Sequence, residues 1–135
     1  MIFLQKQFLT TLIAAIFMTT FLTGCGQAYK NIGQEDALRI MNSGQNVVVL
    51  DVRTPEEYEK KHIPGAVLLP IDEIKKGNLS LLPDKNKIIL VHCWTGRRAE
   101  DAAAILVNRG YKYVYNFGGL VDWTGPVEGS EVTDP

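Results

Sequence analysis

The residues best suited to chemistry lie together in Val91-His92-Cys93-Trp94-Thr95-Gly96-Arg97-Arg98-Ala99. A cysteine opens a short segment that carries one glycine and two arginines. Before it, Ile88-Ile89-Leu90 is an apolar run of the kind that forms a buried strand; after it, Glu100 to Val107 reads as a helix. The cysteine is therefore expected where a strand gives way to a helix. The first N–H groups of a helix have no intrahelical partner, and the helix dipole is positive at that end. A loop there can cradle an anion. The same field, with Arg97 and Arg98 close by, should favour the thiolate of Cys93 over the thiol. The expected chemistry is nucleophilic attack by Cys93 above an anion-binding loop. It requires a sulfur that solvent and substrate can reach.

The flanking elements must hold that loop in place. Gln34 to Ser43 has Ala37, Leu38, Ile40 and Met41 at helical spacing, and Gly44 suits the helix end. Val47-Val48-Val49-Leu50 is an unbroken apolar run, as in a strand buried on both faces of a parallel sheet. Asp51-Val52-Arg53 follows at its end. Thr54-Pro55-Glu56-Glu57 then combines a cap, a proline at the first helical position and a capping-box glutamate. Tyr58 should face the core. The Pro-Gly turn in His62-Ile63-Pro64-Gly65-Ala66 breaks that helix. Val67 to Leu69 is a short strand, Asp72 to Lys76 one or two helical turns, and Pro83 to Lys87 a polar turn. The helix after Cys93 should run to about Asn108 or Arg109, with Gly110 ending it. Tyr113 to Tyr115 reads as a strand, Phe117 to Trp123 as a turn and a small closing helix, and the acidic stretch from Pro126 as a mobile tail. Alternating strands and helices imply an α/β fold with a mainly parallel sheet. Sites in such sheets lie beyond the C-terminal strand ends, where both Asp51 and Cys93 fall.

The 135 residues suffice for one domain, and 46% hydrophobic with 21% charged residues is ordinary for a globular fold. A formal net charge of −1 offers no broad basic surface, so nucleic acid is not an expected partner. Residues 1–24 have Lys6 near the start, no acidic residue and an apolar core from Phe8 to Leu22, the pattern of a signal peptide. Leu22-Thr23-Gly24-Cys25 resembles the bacterial lipobox, which implies cleavage before Cys25 and lipidation of its sulfur. Acyl chains would hold the protein on a membrane surface of the cell envelope without a spanning helix. Removing Lys6 leaves 13 of the 14 basic residues against 15 acidic ones, a mature net charge of −2. A Cys25–Cys93 disulfide is the alternative use of the two cysteines; their separate contexts argue against it.

Four motifs in order resemble the single-domain rhodanese-like sulfurtransferase family. They are Asp51-Val52-Arg53 with Glu57-Tyr58, His62-Ile63-Pro64-Gly65-Ala66, Cys93-Trp94-Thr95-Gly96-Arg97-Arg98, and Gly118-Gly119-Leu120 with Trp123. Lys61 departs from the pattern, standing where a glycine is common. The resemblance spans about Lys30 to Trp123. It implies a five-stranded parallel sheet flanked by helices on both faces. It also implies that Cys93 takes a sulfane sulfur from a donor such as thiosulfate, as a persulfide, and passes it to a thiol or cyanide acceptor. No cofactor is implied; a protein could serve as the acceptor. These readings divide the chain into a lipoprotein signal peptide (1–24), a lipidated tether (25–29), a rhodanese-like domain (30–125) and a mobile tail (126–135).

In that scheme, backbone donors from Trp94 to Arg98 converge on the developing charge. Thr95 and Gly96 shape the loop, Trp94 walls the pocket or packs on the surface, and either Arg97 or Arg98 faces the site. Asp51 and Arg53 are supporting residues: Asp51 accepts from nearby backbone, and Arg53 pairs with a local carboxylate such as Glu57. His62 and His92 read as structural, since an ionised thiol attacking a sulfane sulfur needs no general base. No His/Cys/Asp cluster has zinc-ligand spacing.

Three rival functions remain. A cysteine phosphatase or arsenate reductase would place one more residue between its Cys and Arg than the four between Cys93 and Arg98. A persulfide carrier or redox partner module would use the same Cys93 without turnover. A thioredoxin-like enzyme would need a second cysteine three positions on, and Gly96 stands there.

Overall fold

The computed structural model describes residues 28–132. The expected signal peptide (1–24) and Cys25 lie outside those residues. Five strands form one sheet: β1 (Lys30–Asn31), β2 (Val47–Asp51), β3 (Val67–Leu68), β4 (Ile88–Cys93) and β5 (Tyr113–Gly119). Their order is β1-β5-β4-β2-β3, and every neighbouring pair is parallel. Between them run α1 (Gln34–Met41), α2 (Pro55–Lys60), α3 (Ile71–Lys76) and α4 (Arg97–Asn108), and a 3-10 turn at Leu120–Asp122 follows β5.

β4 lies at the centre of the sheet and reads as an apolar run because both its faces are covered. Side chains alternate along a strand. Ile89, Val91 and Cys93 therefore pack toward Ile74 of α3 and Ala99, Ala102, Ala103 and Leu106 of α4. Leu90 points the other way, into a cluster with Ala37 of α1, Phe117 and Leu120. Three alanines on the inner face of α4 let that helix lie close to the strand that carries the cysteine. Helices thus cover both faces, as the resemblance implied.

The elements differ from the sequence reading mainly at their ends. β4 extends to Cys93 and β5 to Gly119, because these two residues pair across the sheet. The register shifts between Val91 and Cys93: Val91 pairs with Asn116 and Cys93 with Gly119, so β5 carries one extra residue. Helix α4 begins at Arg97 rather than Glu100, leaving only Trp94 to Gly96 as loop. The capping box at Thr54 and Glu57 is present in full.

The stretch expected to be a mobile tail is held down as far as it is described. His62 and Glu128 form an antiparallel bridge, Ser130 N–H donates to Glu59 O at 3.0 Å, and Glu131 N–H to Lys60 O at 2.9 Å. Lys60 and Glu131 also pair through their side chains at 3.1 Å. Acidic composition suggested a free tail; the exposed end of α2 supplies carbonyls and a lysine that the composition could not reveal.

Candidate active site

Cys93 ends the central strand, and Gly96 starts the helix that follows. Gly96 adopts φ +100°, a left-handed conformation that side-chain-bearing residues rarely take. This turn aims the Gly96 N–H back at Cys93 Sγ, 3.0 Å away. The amide found on the sulfur is that of Gly96, rather than a fan of donors from Trp94 to Arg98. Sγ is thereby bonded by the N-cap residue of α4, at the end where the helix dipole is positive.

The loop is pressed in place by β5. A Cβ on Gly119 would overlap the Trp94 carbonyl and come within 2.7 Å of Thr95 Cα, so only glycine fits there. Val121 N–H donates to Trp94 O at 3.0 Å. Gln34 Nε2, at the start of α1, donates to Gly119 O at 2.9 Å, and Gly118 N–H donates to Asn116 Oδ1 at 3.0 Å. The Gly118-Gly119 pair is thus the back wall of the active loop. The closing motif was visible in the sequence, but not that it presses on this loop.

One expectation is overturned. Cys93 is fully buried, with 0% of its surface exposed. Its side chain belongs to the apolar cluster that Ala99, Ala102 and Ala103 of α4 also enter. Trp94 and Thr95 face outward, with Trp94 39% exposed.

The two arginines separate clearly. Arg97 is exposed and lines a groove of about 960 Å³ with Thr95, Gly96, Glu100, Asn116 and Asp122. Arg98 turns the other way and grips Glu57 with two hydrogen bonds, 2.7 and 2.8 Å long. Glu57 holds the Arg98 guanidinium above its ordinary pKa, and the Cys93 sulfur acts weakly in the same direction. In return, the Arg98 hydrogen bonds, with help from Thr54 N–H, bring the Glu57 carboxyl down to about 2. Sequence reasoning assigned Glu57 to Arg53. Arg53 instead bonds Asp51, Nη2 to Oδ2 at 2.7 Å and Nε to Oδ1 at 3.0 Å, and donates to Lys61 O at 2.7 Å. The capping-box role of Glu57 was readable; its reach across to α4 was not, because the two residues are 41 apart in the chain.

Asp51 and Arg53 are 0% and 2% exposed, so their pair is a buried one that ties the end of β2 to the turn after α2. Asp51 Oδ1 also accepts the Arg53 N–H at 3.1 Å, the backbone contact anticipated for it. His92 is buried beside them. Its Nδ1 lies 3.2 Å from Cys93 O, and its Nε2 faces Asp51 Oδ2 at 3.6 Å without a hydrogen bond. Burial pushes the His92 pKa down against the pull of Asp51, so the ring is neutral. His62 lies on the rim, stacked on Tyr58 with centroids 3.8 Å apart, and contacts Tyr58 O and Glu128 Oε1. Neither histidine touches the sulfur. Among the described residues no group of three His, Cys, Asp or Glu side chains could hold a metal ion.

A buried cysteine at a strand end, an amide turned onto its sulfur and a helix beginning beyond it form the architecture against which known families can be compared. The model of the rhodanese-like domain matches residues 33–126. The chain belongs to the rhodanese-like domain family. Thiosulfate sulfurtransferase PspE of Escherichia coli (strain K12) is 42% identical over 77 residues, which is 57% of this chain and 74% of that protein. Putative sulfur carrier protein YrkF of Bacillus subtilis (strain 168) is 43% identical over 89 residues, 65% of this chain but only 47% of that protein. Among solved structures, a rhodanese with anions from E. coli superimposes with a TM-score of 0.57 at 38% identity, over 62% of this chain and 99% of that one. A rhodanese-like domain protein from Staphylococcus aureus gives 0.66 at 30% identity, over 75% and 98%. The five-stranded parallel sheet with its flanking helices is thus the rhodanese-like fold. In this rhodanese-like domain the loop between Cys93 and α4 offers one sulfur, one directed amide and one clamped guanidinium.

Proposed function

We propose that this protein is a sulfurtransferase that carries a sulfane sulfur on Cys93 as a persulfide. The observation that carries the reading is the Gly96 N–H directed at Sγ from 3.0 Å at the start of α4. A thiolate attacking the outer sulfur of thiosulfate forms a new S–S bond. The old S–S bond breaks, and sulfite leaves with its electron pair. The product, Cys93–S–S⁻, is again an anion at the same place. An acceptor thiolate then bonds the outer sulfur, and the electron pair returns to Sγ. Charge sits at the loop throughout, so one set of dipoles serves both half-reactions. Gly96 N–H and Arg98 are the groups placed to bear it.

Because Cys93 is fully covered, transfer requires the loop at Trp94 to Gly96 to yield. The tie from Val121 N–H to Trp94 O is the bond such opening would break. A carrier loaded by one protein and emptied by another is the second reading. Likeness to a putative sulfur carrier protein and the covered sulfur both favour it. A phosphatase or arsenate reductase role is disfavoured by the four residues between Cys93 and Arg98, one fewer than that pattern places there, which leaves a smaller cradle for phosphate or arsenate.

The same proposal includes export and attachment to a membrane surface through lipidated Cys25. Intact-mass measurement tests both parts. Thiosulfate should add one sulfur to the wild type and none to Cys93→Ser; equal labelling of both would remove Cys93 from the reaction. Cys25→Ala should move the protein from the membrane fraction to the soluble one, and continued attachment would count against lipidation.

A further inference from the structure

Lys61 is the residue at which this chain departs from the motif it otherwise matches. Its surroundings give that departure a use. Beside the active loop, on the side away from Arg97, lies a cavity of about 420 Å³ lined by Arg53, Glu57, Lys60, Lys61, Trp94 and Glu131. Its charges are not equally engaged. Arg53 is bound to Asp51, Lys60 to Glu131, and Glu57 to Arg98. Lys61 is the cation of that lining with no carboxylate partner among the described residues. Its ammonium stands 5.6 Å from the centre of the Trp94 ring, a cation–π distance that holds it above the residue next to Cys93.

We infer that Lys61 and this cavity recognise the carboxylate of a thiol that serves as sulfur acceptor. The inference rests on, and deepens, the persulfide reading given above. The cavity is lined by Trp94 and not by Cys93 or Gly96. A donor as small as thiosulfate must sit against the sulfur itself and cannot use a subsite outside the loop wall. A longer molecule can, with its thiol at the persulfide and its carboxylate at Lys61. A carboxylate of the chain itself lies in the lining of the same cavity, where Glu131 pairs with the neighbouring Lys60 Nζ at 3.1 Å. In the transfer step the acceptor thiolate bonds the outer sulfur, the S–S bond to Sγ breaks, and Sγ keeps the electron pair. Lys61 touches none of these atoms; it sets which thiol arrives.

The test compares acceptors in the full-length protein with thiosulfate as donor. Glutathione carries carboxylates, and 2-mercaptoethanol does not. Lys61→Gln should raise KM for glutathione about two- to five-fold, the scale of a partly exposed ion pair. It should leave KM for 2-mercaptoethanol and for thiosulfate unchanged, and Lys61→Arg should restore the glutathione value. A Lys61→Gln protein whose two acceptors change equally, or not at all, overturns the inference. A binding titration with S-methylglutathione, which has no free thiol, separates this result from a failure of the sulfur-transfer reading. Weaker binding by Lys61→Gln supports the subsite even if Cys93 never loads. Equal binding by both proteins refutes it.

Discussion

Replacing Gly119 by alanine should damage the active loop from a distance, without altering any group that reacts. The glycine backbone is extended there (φ −137°), so conformational strain is not the issue. The issue is space. A Cβ at this position would overlap the Trp94 carbonyl and lie 2.7 Å from Thr95 Cα. Carbon atoms rest at about 3.5–4.0 Å, so the loop must withdraw by about 1 Å. Cys93 pairs with Gly119 across β4 and β5, and Gly96 N–H reaches Sγ from the same three-residue loop. A shift of that size moves the amide off the sulfur. Misplacement by about 1 Å costs on the order of 100-fold in rate, and overpacking costs about 1–3 kcal/mol of stability. Gly33→Ala is the control, because its added Cβ meets nothing nearer than Asp36 Oδ2 at 4.0 Å. The assay is the single-turnover rate of sulfur addition to Cys93 from thiosulfate, followed by intact mass, alongside a urea unfolding curve. The reasoning fails if Gly119→Ala loads at the wild-type rate with an unchanged midpoint, for then the loop does not depend on this contact.

Other consequences are simpler to state. Arg98→Ala should lower kcat/KM for thiosulfate by about ten-fold or more, the worth of a charge-assisted hydrogen bond, while Arg97→Ala stays within about two-fold; steady-state kinetics of both variants would show whether the assignment is reversed. Asp51→Ala leaves Arg53, 2% exposed, without its carboxylate, and should cost about 3–5 kcal/mol in a denaturant titration. Acid should weaken the fold over two pH ranges. His92 has its pKa lowered from 6.5 and Glu57 from 4.5 to about 2, so the unfolded chain binds more protons than the folded one at both sites. Stability is therefore full above 6.5, declines as His92 charges in the unfolded chain, and declines again between 4.5 and about 2. Unfolding midpoints that rose on acidification would contradict this sign.

Much of the molecule was legible without coordinates because its signals are local. Apolar runs such as Val47 to Leu50 mark strands covered on both faces, and the Thr54-Pro55-Glu56-Glu57 cap marks its helix within one residue. The order of strand, cysteine, glycine and helix located the candidate site. Local signals do not record which residues meet across the fold. Glu57 could reach Arg53 or Arg98, and only the packing of α2 against the start of α4 decided for Arg98. Two arginines side by side on a helix point about a quarter-turn apart, so one grips Glu57 and the other lines a groove. Glu131 of the tail found Lys60 at the end of α2, and Gly119 found the Trp94 carbonyl, through contacts distant in sequence. The burial of Cys93 belongs to the same class. Sequence determined which residue stands between the strand and the helix and which charges and amides neighbour it, since both follow from positions a few residues away. Tertiary structure alone decided that the Cys93 side chain is buried, because its cluster draws on residues of α3, α4 and three strands that lie apart in the sequence.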